Sequence, residues 1–326
     1  MEAALALWRY LRGITLTQGE DPVRQLPGAS STISCALANV KTLRYSANVT
    51  VSLKLQGQCN LERQTRKVKE FDLRIVVTGS LAYDYIMNFP GDFKDHILPD
   101  KVHMLTVSFL VESMRRMRGG VAGNIAYSLA LLGERPLVVG SAGQDFGEYR
   151  ELMENRGVDT SGIEEIEDDF TASCFINTDR ANNQIVAFYA GAMEQAHKLS
   201  LLGLGLGADD MVVISPTDPE AMTRYADECR QMGVPFLFDP GKQTPRLDGD
   251  QILAGLDGAS VLIGNDYEFA MMAQKTGRTE EELIRSVPLA VVTRGSEGSK
   301  IYSNESGEGL EVPVAPISEL AETVTR

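Results

Sequence analysis

Leu73-Arg74-Ile75-Val76-Val77-Thr78 is a short apolar run that stops at Gly79. It does not alternate between apolar and polar residues. An unbroken run of this kind is what a strand covered on both faces requires, as in a parallel sheet with helices above and below. The same form recurs outward from it, in Leu137-Val138-Val139-Gly140, Met211-Val212-Val213-Ile214, Phe236-Leu237-Phe238, Val261-Leu262-Ile263 and Leu289-Ala290-Val291-Val292-Thr293. Helical patterns stand between these runs. Asn124–Leu132 is stopped by Gly133, Asp145–Arg156 by Gly157 and Asp218–Met232 by Gly233, and a further helix follows Asn265. A glycine just past the last turn takes the left-handed conformation that ends a helix. Strand and helix in alternation predict an α/β fold, a mainly parallel central sheet flanked by helices. Ligands of such sheets lie beyond the carboxyl ends of the strands, so the polar residues just after each run are the candidates for chemistry.

Four segments interrupt the alternation. Tyr85–Phe89, Val102–Phe109, Thr171–Asn177 and Gln184–Tyr189 read as extended, the last two flanking a turn at Thr178–Asn183. They predict a small β lid across the strand ends, built from segments of about 85–118 and 170–190.

With 326 residues there is room for one large domain or two ordinary ones, and 43% hydrophobic with 23% charged residues is a globular composition. The 31 basic and 45 acidic residues leave a net charge of -14. That excess argues against a nucleic-acid or anionic-membrane partner, because phosphate binding needs a concentrated basic face. No eighteen-residue uncharged apolar run is present, so no transmembrane helix is expected. Residues 1–72 differ from the rest, with ten Lys/Arg against six Asp/Glu and no regular order of strand and helix signals. They read as a weakly ordered extension outside the fold that occupies 73–326. Glu2 and Arg9 break the pattern of a secretory signal in the first residues. Cys35, Cys59, Cys174 and Cys229 form no CxxC pair and stand far from His96, His103 and His197. Neither a zinc site nor a disulfide framework is expected, and scattered single cysteines fit the cytoplasm.

The sharpest motif is Arg118-Gly119-Gly120-Val121-Ala122-Gly123-Asn124. Paired glycines before a helix either let the backbone approach a ligand closely or merely make a turn. Asn124 can offer a donor and an acceptor to a polyhydroxylated substrate. Asp84, a few residues beyond Gly79-Ser80, is either an acceptor for two sugar hydroxyls or a solvated turn residue. Asn265-Asp266-Tyr267-Glu268 opens a helix; Asn265 is either its N-cap or a holder of phosphate or metal-bound water. Thr293-Arg294-Gly295-Ser296-Glu297-Gly298 either wraps a nucleotide or makes a hairpin. Phe175 and Phe188 either stack on a base or pack within the lid. Gly203-Leu204-Gly205-Leu206-Gly207 has dinucleotide-like glycines but follows a helical stretch and opens no helix.

Taken in order, Gly79-Ser80 with Asp84, Gly119-Gly120 with Asn124, Gly143-Gln144-Asp145-Phe146-Gly147, Gly157-Val158-Asp159, Asn265-Asp266-Tyr267-Glu268 and Thr293-Arg294-Gly295 resemble the ribokinase-like, PfkB-type carbohydrate and nucleoside kinases. The resemblance covers about Leu73–Leu320. Phe89–Val111 and Asp239-Pro240-Gly241-Lys242-Gln243 with Arg246 look most like the bacterial adenosine kinase branch. What it implies is a ribokinase-like three-layer sandwich with a β lid, using ATP and Mg²⁺ to phosphorylate a hydroxyl of a small nucleoside or sugar. It places Ser80, Asp84, Ser108, Gly119, Gly120 and Asn124 on the ribose-like substrate and Phe188 on the base side. Lys242, Gln243 and Arg246 stand near substrate and phosphates. Asn265, Glu268, Thr293, Gly295 and Gly298 fall on the nucleotide side, with Glu268 acting on the metal indirectly. Position 174, a cysteine, falls where that branch can present an aromatic ring. The family's catalytic aspartate sits in a Gly-rich turn at a helix N-terminus. After Leu320 this sequence reads Ala321-Glu322-Thr323-Val324-Thr325-Arg326, so no catalytic residue is assigned and impaired turnover is expected. The alternatives are a non-catalytic remnant that still binds a nucleoside or sugar, and an oligomer partner that forms a homodimer through the lid.

Overall fold

A computed structural model describes residues 73–314 except 105, 305, 306 and 308. The extension at 1–72 and the place of the expected catalytic turn, after Leu320, lie outside the described residues. Nine strands make the main sheet. In chain order they are β1 (Ile75–Thr78), β4 (Leu137–Gly143), β5 (Asp159–Ile166), β8 (Met211–Ile214), β9 (Phe236–Phe238), β10 (Val261–Asn265), β11 (Leu289–Thr293), β12 (Ser299–Ser303) and β13 (Gly309–Val312). Their spatial order is β13-β12-β11-β10-β9-β8-β1-β4-β5. The strands from β11 to β5 are parallel, and β12 and β13 run antiparallel at one edge.

The unbroken apolar runs have a direct cause. Val76 belongs to one core, with Val212, Ile214, Tyr225 and Phe269, while its neighbour Val77 belongs to another, with Leu129, Val138 and Met153. Successive side chains of β1 point to opposite faces, and both faces are covered. Helices α1 (Val121–Leu131) and α2 (Gly147–Asn155) contribute to the second core. Helices α3 (Pro219–Met232), α4 (Gly249–Leu256), α5 (Asp266–Thr276) and α6 (Glu280–Arg285) contribute to the first. Local signals set their ends. The Asp218 carboxylate accepts the N–H groups of Glu220 and Ala221 before Pro219 starts α3, and Gly233 ends that helix at φ 66°.

A separate four-stranded sheet, ordered β3-β2-β6-β7, is the lid. It consists of β2 (Ala82–Asn88), β3 (Ser113–Gly119), β6 (Ala172–Thr178) and β7 (Gln184–Tyr189). One expectation is corrected here. Val102–Met104 belong to a 3-10 turn that runs from Pro99 to Met104, residues 106–109 are in no strand, and the partner of β2 is the arginine-rich segment Ser113–Gly119. That segment is a lid edge with Ser113–Arg116 exposed, so it needs no apolar alternation, and charge on an edge blocks unwanted pairing. Among the described residues no helix is long and apolar enough to cross a membrane.

Candidate functional site

The lid joins the main sheet where Gly79 follows β1. A side chain on Gly79, which sits at φ 151°, would collide with the Ser215 hydroxyl. That hydroxyl donates to the Thr78 carbonyl at 2.7 Å. The next residue, Ser80, is buried and anchors the start of α1. Its Oγ accepts the Val121 N–H at 3.0 Å and its carbonyl accepts the Ala122 N–H at 3.0 Å. Two of the N–H groups that every helix leaves unpaired at its start are thereby satisfied from the link between β1 and β2. Ser80, expected on the substrate, is an acceptor for this helix and keeps its O–H to donate.

The glycine pair is shaped by the same junction. Gly120 precedes α1 at φ 85°; a Cβ there would strike the Ser80 carbonyl and come within 2.7 Å of the Ala82 nitrogen. A Cβ on Gly119 would stand 2.6 Å from Oδ2 of Asp84. The pair makes the turn, and Gly119 leaves room for the Asp84 carboxylate. The hydroxyl of buried Tyr149 donates to the Gly119 carbonyl at 2.9 Å, fixing the pair from below. Asn124, one turn into α1, is exposed.

Asp84 is in the middle of β2, opposite Met117 of β3 and Cys174 of β6, and Cys174 is opposite Phe188 of β7. Directly paired residues share a face, so Met117, Asp84, Cys174 and Phe188 form one row across the lid. Burial raises the Asp84 carboxyl above the usual carboxylate range, and the positive charge of Lys242 partly opposes this. Burial, together with the Asp84 charge, likewise raises the Cys174 thiol, and Lys242 again opposes. Lys242 thus lies within electrostatic reach of both. It is exposed on the 3-10 turn Gly241–Gln243 that follows β9 and packs against β10. Among the described residues no protein donor hydrogen-bonds the Asp84 carboxylate. Phe188 is 54% exposed. Gln243 is buried with its Oε1 unpartnered, and Arg246, exposed, donates its N–H to the Gln243 carbonyl at 2.8 Å. Ser108 is exposed outside the lid strands.

Further along the sheet, Asn265 and Thr293 are register partners at the carboxyl ends of β10 and β11. The Asn265 side-chain Oδ1 accepts the Glu268 N–H at 2.7 Å, and the Glu268 carboxylate accepts the Asn265 N–H at 2.8 Å. This reciprocal capping box opens α5, so the N-cap reading of Asn265 holds. Gly295 and Gly298, at φ 54° and 87°, turn the chain tightly between β11 and β12, with the Arg294 N–H donated to the Gly298 carbonyl at 2.8 Å. The segment makes a hairpin between antiparallel strands. Among the described residues no group of three His, Cys, Asp or Glu side chains is placed to hold a metal ion. The donor set fits Mg²⁺ only as an ion riding on phosphates and water beside Glu268. Replacing Asn265 by alanine is expected to cost about 1 kcal/mol in denaturant unfolding, the usual worth of such a cap.

One contributor escaped the sequence reading. The Asp145 carboxylate accepts the Thr171 N–H at 2.8 Å, and the Thr171 Oγ1 accepts the Gly143 N–H at 3.0 Å. Asp145 therefore fastens the root of β6 to the end of β4. Its motif, Gly143–Gly147, was visible, but nothing in it pointed to that partner.

Comparison with known proteins adds a second line. Residues 73–324 match the family described as pfkB family carbohydrate kinase. A nucleoside kinase of Methanothermobacter thermautotrophicus is 30% identical over 237 residues, 72% of this chain and 74% of the relative. The structure of Burkholderia thailandensis nucleoside kinase in complex with inosine superposes with a TM-score of 0.65 at 35% identity, covering 76% of this chain and 78% of that one. Methanocaldococcus jannaschii nucleoside kinase, an archaeal member of the ribokinase family, gives 0.66 at 25% identity, covering 77% and 80%.

Proposed function

This chain belongs to the pfkB family of carbohydrate kinases, and on that footing we propose that it is a nucleoside kinase whose acceptor is a hydroxyl of adenosine or a related ribonucleoside. The observation that carries the reading is the Asp84 carboxylate: half-buried, without a protein donor among the described residues, and beside a glycine pair that keeps space open. A buried acceptor needs hydrogen-bond donors, and two vicinal hydroxyls of a ribose supply them. Lys242 opposite favours the ionised, doubly accepting form. Phe188, in the same row, offers an exposed ring face for a base.

The nucleotide side of the proposal rests on the strand ends at Asn265 and Thr293 and on the glycine turn at Gly295–Gly298. ATP bound there, with Mg²⁺ on its phosphates, supplies the phosphoryl group for an in-line transfer. The chain's own part is to hold the acceptor hydroxyls at Asp84, to admit the ribose close to the Gly119-Gly120 backbone and to keep Asn265 and Glu268 rigid through their mutual bonds.

ADP release from Mg·ATP, measured with adenosine, inosine, ribose and fructose beside calorimetric binding of the same compounds, tests the reading. Nucleosides are expected to bind, and to be turned over where ADP is released, in preference to the free sugars. Nucleoside binding without ADP release would favour the non-catalytic reading. Failure to bind any nucleoside would remove the proposal.

A further inference from the structure

The lid face that carries Asp84 is covered on β2 and β6 and open on β7, where Val186 and Phe188 are 53% and 54% exposed. Two residues beyond the Asp84–Cys174 pair on that face, Ile86 and Ile176 are register partners and are 7% and 4% exposed. On the opposite face Met114, Phe175 and Ile185 are 62%, 40% and 42% exposed. The chain that leaves β2 at the lid tip supplies a compact apolar knot. Phe89 and Phe93, both buried, stack with their rings 5.6 Å apart and nearly parallel, and Phe109 meets them edge-on at 5.1 and 4.8 Å.

That stretch is tied to the β6–β7 hairpin at several points. The Phe89 N–H donates to the Thr178 carbonyl at 2.8 Å and the Arg180 N–H to the Gly91 carbonyl at 3.0 Å. Arg180 also pairs with Asp92 at 3.4 Å. At the centre is Asp179. One carboxylate oxygen accepts the Phe93 N–H at 3.0 Å and the Asn183 side-chain amide at 2.9 Å. The other accepts the N–H groups of Ala181 and Asn183 at 2.9 and 2.8 Å. Against the upward push of burial, the Asn183 amide and these three backbone donors hold the Asp179 carboxyl below its ordinary value. A turn needs only the Ala181 and Asn183 bonds, whereas the bond to Phe93 reaches across 86 residues.

We infer that Phe89–Ile97 forms the outer wall of the cleft containing Asp84, and that Asp179 is the positioning residue fastening this wall to the lid tip. The ligand side of the inference rests on the nucleoside reading above; the fastening does not. Asp179→Ala and the conservative Asp179→Asn provide the test, read by hydrogen exchange of peptides from Phe89–Ile97 and by calorimetry with adenosine, inosine and ATP. Asp179→Ala is expected to speed exchange in that stretch and to weaken nucleoside binding about tenfold, the worth of one charge-assisted hydrogen bond. Asp179→Asn should fall between, and ATP binding should stay within about twofold. Unchanged exchange in Asp179→Ala would overturn the fastening. Faster exchange with unchanged nucleoside affinity would overturn the wall, and equal loss of ATP and nucleoside would reduce Asp179 to general stability. If the unsubstituted protein bound no nucleoside, the substrate reading would fall by itself and the exchange comparison would still decide the fastening.

Discussion

Asp84→Ala is expected to weaken nucleoside binding about 10³-fold, because two hydrogen bonds to a charged acceptor are lost at about 1.5–3 kcal/mol each. Isothermal calorimetry with adenosine or inosine measures it, and a loss under about fivefold would place the ribose elsewhere. The charge can be separated from the shape with Asp84→Asn. Burial raises the Asp84 carboxyl in the folded protein, so the folded state binds this proton more readily than the unfolded chain. Stability from this group is therefore greatest when it is protonated. It declines as pH rises through the window above the ordinary carboxylate range, and the ionised group is a burden at neutral pH. Asp84→Asn should accordingly melt at a higher temperature than the parent at neutral pH while binding nucleoside less well. It should also lose the decline in stability across that window. A site that weakens its own fold to keep an acceptor ready is a familiar trade in proteins.

The second large effect belongs to Gly120. Alanine there must adopt φ near 85°, which costs about 1–2 kcal/mol for an L-residue. Its Cβ must also displace backbone atoms of Ser80, Leu81 and Ala82, none of which is the free end of a side chain. Gly120→Ala should lower the unfolding free energy by about 2–4 kcal/mol in urea titration, the range for a strained backbone plus overpacking. Gly133→Ala is the matched control. It too has positive φ, at 88°, yet a Cβ there meets nothing within 4 Å. Gly133→Ala should cost only the conformational part, about 1–2 kcal/mol. If the two variants lose the same amount, the junction at Ser80 is softer than its geometry indicates.

The parts of the fold legible in the sequence were those buried on both sides. β1, β8, β10 and β11 are apolar up to the polar residues at their carboxyl ends because cores lie above and below them. β5, β12 and β13 were not read. They lie at or near the ends of the main sheet, and β5 and β13 carry several exposed residues, so their composition is free to drift. β3 was hidden by its arginines for the same reason. In the site, the N-cap reading of Asn265 was available because a helix start is a local pattern, and the reciprocal bond from Glu268 came with the structure. The pairing of Asp84 with Cys174, and of Cys174 with Phe188, is a matter of strand register, which no local pattern reveals. Asp179 looked like any turn aspartate, because its bond to Phe93 exists only once two distant loops meet.

All four lid strands meet the body at the same end: Ala82, Gly119 and Ala172 lie side by side there, with Tyr189 one residue along, opposite Ser173. The sheet is thus mounted like a flap on one pivot line. Seven residues of strand reach roughly 20 Å from that line, so a rotation of about 10° carries the tip some 3–4 Å. Asp84, two residues from the root, would travel only about 1 Å in the same swing. Opening and shutting would therefore leave Asp84, the proposed anchor, almost stationary while the far rim sweeps aside, giving a guest one side from which to enter and a fixed point at which to stop.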